Sequence, residues 1–165
     1  MPSLSLVFTM NPERPEATEF ATDVRRLAEE AFDSGLYCAE AVVTALARAQ
    51  GIDSDLIPKM ATAFCSGMSS TCGPCGALTG AVMGISLSLG RVNVRQSVKA
   101  SFTATHELVR TFEKEFGSRD CAQLLGCDIS TPEGQARFEK EQLYTRCERY
   151  TSRAAEIAAT LLAKG

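Results

Sequence analysis

Apolar residues recur at three- and four-residue steps through most of the chain, and the strict alternation of a half-buried strand is almost absent. That period belongs to helices that each bury one stripe. From Glu13 to Phe32 the stripe is Phe20, Val24, Leu27, Ala28 and Ala31, and Asp33-Ser34-Gly35 ends it. A second helix is predicted from Tyr37 to Gln50, with Val42, Ala45, Leu46 and Ala49 inward and Gly51 as its stop. Asp53-Ser54-Asp55 caps a third, Leu56 to Phe64, where Pro58 is tolerated in the first turn. Cys65 to Thr71 is small and polar and predicts a loop. A fourth helix runs from Pro74 to Leu89, with Leu78, Val82, Ile85 and Leu89 on its apolar face and Gly90 after it.

A long fifth helix is expected from Val94 to Phe116, ended by Gly117, with Val98, Phe102, Thr105, Leu108, Val109 and Phe112 inward. Ser118-Arg119-Asp120 then caps a short helix, Cys121 to Leu125, which Gly126 stops. Thr131-Pro132-Glu133 opens a last helical region reaching Ala163, with a bend expected at Arg146 to Tyr150. The pattern therefore predicts an all-α compact bundle of about six to seven helices. It forms one domain over 13–165, behind an irregular segment at 1–12, and Met10 is an alternative start.

Composition narrows the function. With 165 residues the chain has enough interior for a core without disulfide staples. The formal net charge is −3 and no basic block occurs, which argues against nucleic acid. No apolar run reaches the length of a membrane span, and the first ten residues lack the basic start of a secretion signal. The expectation is a cytoplasmic protein, where thiols stay reduced unless they do redox work or hold metal.

Seven cysteines are the concentrated chemistry. Cys72-Gly73-Pro74-Cys75 opens directly into a helix, a place whose unpaired N–H groups favour thiolate over a free-thiol pKa of about 8.5. Cys38 and Cys121 also stand at helix starts, and Cys147 lies beside Arg146 and near Arg149. Cys65 and Cys127 read as small packing residues. The Cys-Gly-Pro-Cys tetrapeptide is shared with thioredoxin-like proteins, but the strand that such a fold needs before it is missing here. His106, the one histidine, and Glu40 read as solvent-facing.

Gly76, Gly80 and Gly84 stack on one helix face at a cost of about 1 kcal/mol each relative to Ala, which calls for a helix packed closely against them. The alanine-rich helix holding Ala39, Ala41, Ala45 and Ala49 is the expected neighbour, and that contact would bring Cys38 near Cys75.

Cys75-Gly76-Ala77-Leu78-Thr79-Gly80, with Tyr37-Cys38-Ala39-Glu40 before it and Cys121 and Cys147 after it, resembles the C_GCAxxG_C_C family of redox proteins. The Asp120 to Gly126 segment is similar to that family's third cysteine region, and the likeness covers Phe32 to Cys147. It implies redox work by spaced cysteines. A related domain in certain multihaem cytochromes is associated with an iron–sulfur centre. Cys65, Cys72 and Cys127 are additions to the four-cysteine pattern, and Cys72 gives Cys75 a second, local partner.

Three functions follow. The first is electron transfer by thiol–disulfide exchange through Cys38, Cys72, Cys75, Cys121 and Cys147, as a thiol–disulfide oxidoreductase with a protein partner. The second is an iron–sulfur cluster or other thiolate-bound metal on Cys38, Cys75, Cys121 and Cys147. The third is a helical module whose cysteines merely pack. Alanine-rich faces would also admit pairing with a second copy.

Overall fold

The computed structural model describes residues 17–164; the segment 1–12 and the expected helix start at Glu13 lie outside the described residues. Every regular element among them is helical: α1 (Ala17–Asp33), α2 (Cys38–Ala49), α3 (Leu56–Ala61) with a 3₁₀ turn (Thr62–Phe64), α4 (Cys65–Ser70), α5 (Gly76–Leu89), α6 (Lys99–Phe116), α7 (Cys121–Leu125), α8 (Pro132–Lys140) and α9 (Tyr144–Lys164). None of them is long and apolar enough to cross a membrane.

Helix α2 occupies the middle. It packs on α1, α5 and α9, while α6 lies against α5 and α9, and α3 covers the outer side of α2. Its residues Ala41 to Ala47 are all buried, so it is enclosed on every side rather than along the single stripe expected. Small side chains make this possible. Ala45, Ala77, Ala81, Ala154, Ala155 and Ala158 fill the interior between Val42, Leu46, Ile85, Leu108 and Phe112.

Two glycines set the closeness of α5 to α2. A Cβ on Gly80 would lie 2.5 Å from the Ala39 carbonyl oxygen and 2.9 Å from the Ala39 Cα. A Cβ on Gly84 would fall on the Leu46 side chain, 2.7 Å from its Cβ. The two backbones therefore pass with no side chain between them at Gly80, and the axial position of Cys75 relative to Cys38 is fixed by that contact.

Three boundaries differ from the sequence pattern. α6 begins at Lys99 instead of Val94, because polar side chains bind the preceding backbone locally. Val92 donates to Gln96 Oε1 at 2.7 Å, Arg95 donates to Asn93 Oδ1 at 3.1 Å, and Lys99 donates to Ser97 Oγ at 3.1 Å. Phe102 then falls on the outer face, 59% exposed, rather than inward. The final helical region breaks at Glu141–Leu143, ahead of the expected bend. Gln142 takes φ of 52°, and Leu143 turns back to donate to the Phe138 carbonyl at 3.0 Å. The break sets Leu143 beside Cys121 and Leu125 in a small apolar cluster of its own, which offsets the lost helical bonds.

The third difference is α4. Ser66, Gly67, Met68 and Ser69 all have left-handed backbone angles, with φ between 54° and 64°, and Ser70 follows at 62°. Left-handed helix costs non-glycine residues about 1–2 kcal/mol apiece. The turn is held by its neighbours: Thr71 and Gly73 both donate to the Gly67 carbonyl, at 3.3 and 3.0 Å, and Ser69 Oγ donates to the Ala63 carbonyl at 3.0 Å.

Candidate functional site

The left-handed turn, the starts of α2, α5 and α7, and the α8–α9 junction meet at one end of the bundle. Between them lies a cavity of about 390 Å³ lined by Cys38, Cys75, Cys121 and Cys147. These four sulfurs come from four helices and from positions spread over more than a hundred residues of chain.

Backbone pairing holds two of them in register. Pro74 and Asp120 form an isolated antiparallel bridge. Cys75 donates its N–H to the Arg119 carbonyl at 2.7 Å, and Cys121 donates to the Gly73 carbonyl at 3.0 Å. The loop carrying Cys72 and Cys75 is thereby clamped to the start of α7. Gly67 completes the clamp, because a Cβ there would lie 2.6 Å from the Cys121 Cβ. On the other side, Gly76 leaves room for Cys38, whose Sγ would collide with any Cβ at that position.

The sulfurs influence one another in a connected set. Cys75 feels Cys121 and Cys147, Cys147 feels Cys121 and Cys127, and Cys121 feels Cys72 and Cys127. Cys121 is thus the sulfur shared between the cavity and its outer rim. Cys72 is half-buried and directs its Sγ to Asp128, donating to Oδ1 at 2.9 Å, so the two ends of the Cys72–Cys75 tetrapeptide have different neighbours. Asp128 also accepts the Ser130 N–H at 2.9 Å.

Cys65, read from the sequence as a packing residue, is buried in hydrogen-bond contact with the Cys38 thiol. The N–H groups of Ala39 and Glu40, at the start of α2, point toward its sulfur. Cys127 stays half-buried in the cluster around Leu125 and Leu143. Two features of the site carried no sequence signal that was read as such. One is the left-handed turn, which contributes Ser66 and Ser70 to the cavity; the other is the wall of Phe32, Tyr37, Phe138, Tyr144 and Tyr150. Aromatics before a helix start and beyond Gly126 were the available clue to that wall. Glu40 does not face water alone: it accepts the Tyr37 N–H at 2.9 Å and the Thr62 hydroxyl at 2.6 Å, capping α2. His106 is exposed.

The thiolate expectation is overturned by burial. The N–H groups of Ala77 and Leu78 do favour charge on Cys75, yet desolvation outweighs them and pushes its pKa up to about 12. Burial takes Cys147 to about 12 and Cys121 to about 11. Cys65 is raised by the hydrogen bond its thiol donates to Cys38 together with burial, and Cys72 by the neighbouring Asp128 carboxylate. At neutral pH these are uncharged thiols.

A metal cage does not fit this arrangement as it stands. Among the described residues no group of three or more His, Cys, Asp or Glu side chains converges so as to hold a metal ion. Two-sulfur chemistry asks less of the geometry.

A family model described as "Putative redox-active protein (C_GCAxxG_C_C)" matches residues 36–161. The chain belongs to that family. The matched span runs from the residue before Tyr37 to the last turns of α9, so it takes in every cysteine and all of the cavity lining except Phe32. No curated protein and no solved structure matches the chain.

Proposed function

We propose that this member of the C_GCAxxG_C_C family is a thiol–disulfide electron carrier whose working pair is Cys75 and Cys121. The observation that carries the reading is the clamp between the Cys72–Cys75 loop and α7, which ties Cys121 by main-chain bonds to Cys75 inside a cavity that Cys38 and Cys147 also line.

Two thiols give one disulfide, two electrons and two protons. Burial favours the uncharged thiol and disulfide over thiolate, so the pair exchanges electrons and protons together. Recharging runs through the rim. Cys72 attacks Cys121 of the oxidised pair, Cys75 leaves as thiol, and a Cys72–Cys121 disulfide is presented outside the cavity. A partner dithiol then reduces it, leaving Cys72 and Cys121 as thiols and the partner as a disulfide. Cys121 is the sulfur that changes hands, and Asp128 holds the Cys72 thiol by a hydrogen bond at the rim until the attack.

Protein purified without oxygen and then oxidised mildly should lose thiols in pairs. Peptide mapping should find Cys75–Cys121 and Cys72–Cys121 links, both abolished by Cys121→Ser and both kept by Cys127→Ser. A brown protein with visible absorbance and bound iron, and no such links on oxidation, would replace this reading with the iron–sulfur one.

A further inference from the structure

We infer that the cysteine cavity is a binding site for a small uncharged quinone, and that the bound quinone is the two-electron oxidant of the Cys75–Cys121 dithiol. This deepens the thiol–disulfide reading and rests on it for the electron step, though the binding site stands on its own features.

The first feature is size. A cavity of about 390 Å³ falls within the ~300–1,000 Å³ typical of small-molecule sites and is far more space than two sulfurs need to join. Lining is the second. Phe32, Phe138, Tyr144 and Tyr150 contribute aromatic rings to it, and Leu124 and Ile129 contribute aliphatic side chains. Flat conjugated rings stack or pack edge-on against such walls.

Charge is the third feature, and it discriminates. Among the described residues that line the cavity, Glu139 is the one that carries a charge. Three cations of the neighbouring elements have partners outside the lining. Arg146 donates to the Leu125 carbonyl at 3.1 Å, Arg149 lies 5.3 Å from the Phe116 ring centre, and Arg137 pairs with Glu141 at 2.9 Å. A carboxylated disulfide such as oxidised glutathione, or a phosphate-bearing dinucleotide, would meet no cation among the lining residues, and uncompensated burial of charge is costly. An uncharged ring avoids that penalty.

The chemistry also balances without leaving an ion behind. The two S–H bonds of Cys75 and Cys121 break and one S–S bond forms. Two electrons and two protons pass to the quinone, whose two carbonyls become the two O–H groups of a hydroquinone. Neutral thiols and a neutral quinone yield a neutral disulfide and a neutral hydroquinone, which suits walls that disfavour thiolate. The hydroquinone then leaves past two lining residues open to solvent, Tyr37 at 64% and Tyr144 at 49% exposed.

Duroquinone is the probe, since its fully methylated ring cannot be alkylated by thiols. Equilibrium dialysis against the full-length Cys75→Ser/Cys121→Ser variant, with Cys75→Ala/Cys121→Ala as a second form should the first fail to fold, isolates binding from reaction. We expect saturable one-to-one binding, weakened about tenfold by Tyr144→Ala and restored by Tyr144→Phe. A sulfonated quinone of similar size should bind at least tenfold more weakly. In the reduced native protein, one duroquinol should appear for each pair of thiols lost, with the Cys75–Cys121 link in the product. If neither binding nor duroquinol formation occurs while the thiol oxidant diamide still makes the link, the quinone site is wrong and the carrier reading stands. If duroquinone binds but no oxidant makes the link, the dithiol is wrong and the quinone is not its oxidant. Equal binding of the sulfonated quinone would overturn the charge argument and the site with it.

Discussion

In the bundle, α5 lies so close to α2 that the Gly80 backbone rests on the Ala39 carbonyl, whereas at the cysteine end a left-handed turn from Ser66 to Ser70 winds around an open cavity. The first region minimises space with alanine and glycine. The second keeps space, and accepts unfavourable backbone angles to do so. Packing interactions are strongest where shapes cannot shift, so the tight region fixes the helix starts, and the loose region is free to specialise around the sulfurs that those starts carry. Different perturbations should therefore act on the two regions.

High pH should act most strongly, and through the cysteine end. Burial raises Cys75 and Cys147 to about 12 and Cys121 to about 11, from an ordinary value of 9.0. In the unfolded chain these thiols ionise near pH 9, while the folded chain keeps its protons. Above pH 9 the unfolded state thus binds fewer protons than the native one, so the stabilisation is complete below that pH and falls as pH rises toward 11–12. Each thiol contributes a slope of about 1.4 kcal/mol per pH unit, or roughly 4 kcal/mol per unit while all three differ. Urea unfolding from pH 7 to 10.5 should give a flat region and then a steep loss. The Cys75→Ala/Cys121→Ala/Cys147→Ala variant should lack most of that loss, which separates it from lysine and tyrosine titration.

In the bundle, Phe112→Ala should cost about 3–5 kcal/mol, the usual range for emptying a buried aromatic site. Phe112 is fully buried, with the Phe116 ring centre 4.8 Å away and that of Tyr150 6.2 Å away. Denaturant unfolding followed by helix content should show the loss at neutral pH, where the thiol variant, which removes only three small sulfur groups, loses less. Comparable losses from both at pH 7 would mean that the sulfur cavity is packed as tightly as the bundle core that Cys75 adjoins.

A smaller effect tests the glycine contact. Gly80→Ala gains about 1 kcal/mol of helix propensity but inserts a Cβ against main-chain atoms that cannot rotate away. Overpacking of this kind costs about 1–3 kcal/mol, occasionally more, so a net loss of about 2 kcal/mol is expected at this extreme closeness. Thermal melting reads it directly. A neutral or stabilising result would show that α2 and α5 can separate, and that Cys38 and Cys75 are not held by their contact.

The bundle was legible in the sequence because its signals are local. Helical period, glycine stops after α1, α6 and α7, and the Thr131-Pro132 start of α8 are each written within a few residues. The spacing of Gly76, Gly80 and Gly84 pointed to a close helix, and α2 is the helix found there. What escaped was set by distant partners. Left-handed angles at Ser66, Met68, Ser69 and Ser70 have no glycine signature and depend on Ala63 and Gly73. Thiolate at the helix starts was expected from the local dipole alone, and the burial that defeats it comes from α7 and α9. Leu143 broke the last helix for a tertiary reason, the cluster with Cys121 and Leu125.

The smallest predicted effect concerns the rim, where neither packing nor the cavity decides the outcome. Cys72 donates to Asp128 at 2.9 Å, and that carboxylate holds the thiol protonated, raising its pKa. Asp128→Asn keeps an oxygen that can accept the hydrogen bond but removes the charge, so the thiolate fraction at pH 8 should rise. Iodoacetamide labelling of Cys72, followed by peptide mass spectrometry, should then speed up several-fold with no change in melting temperature, because the site is largely exposed. Cys75 and Cys147 should label as slowly as before, since burial and not a carboxylate keeps them neutral. If Asp128→Asn also accelerates those two, the rim and the cavity open together, and the distinction drawn between an accessible Cys72 and a guarded interior pair fails.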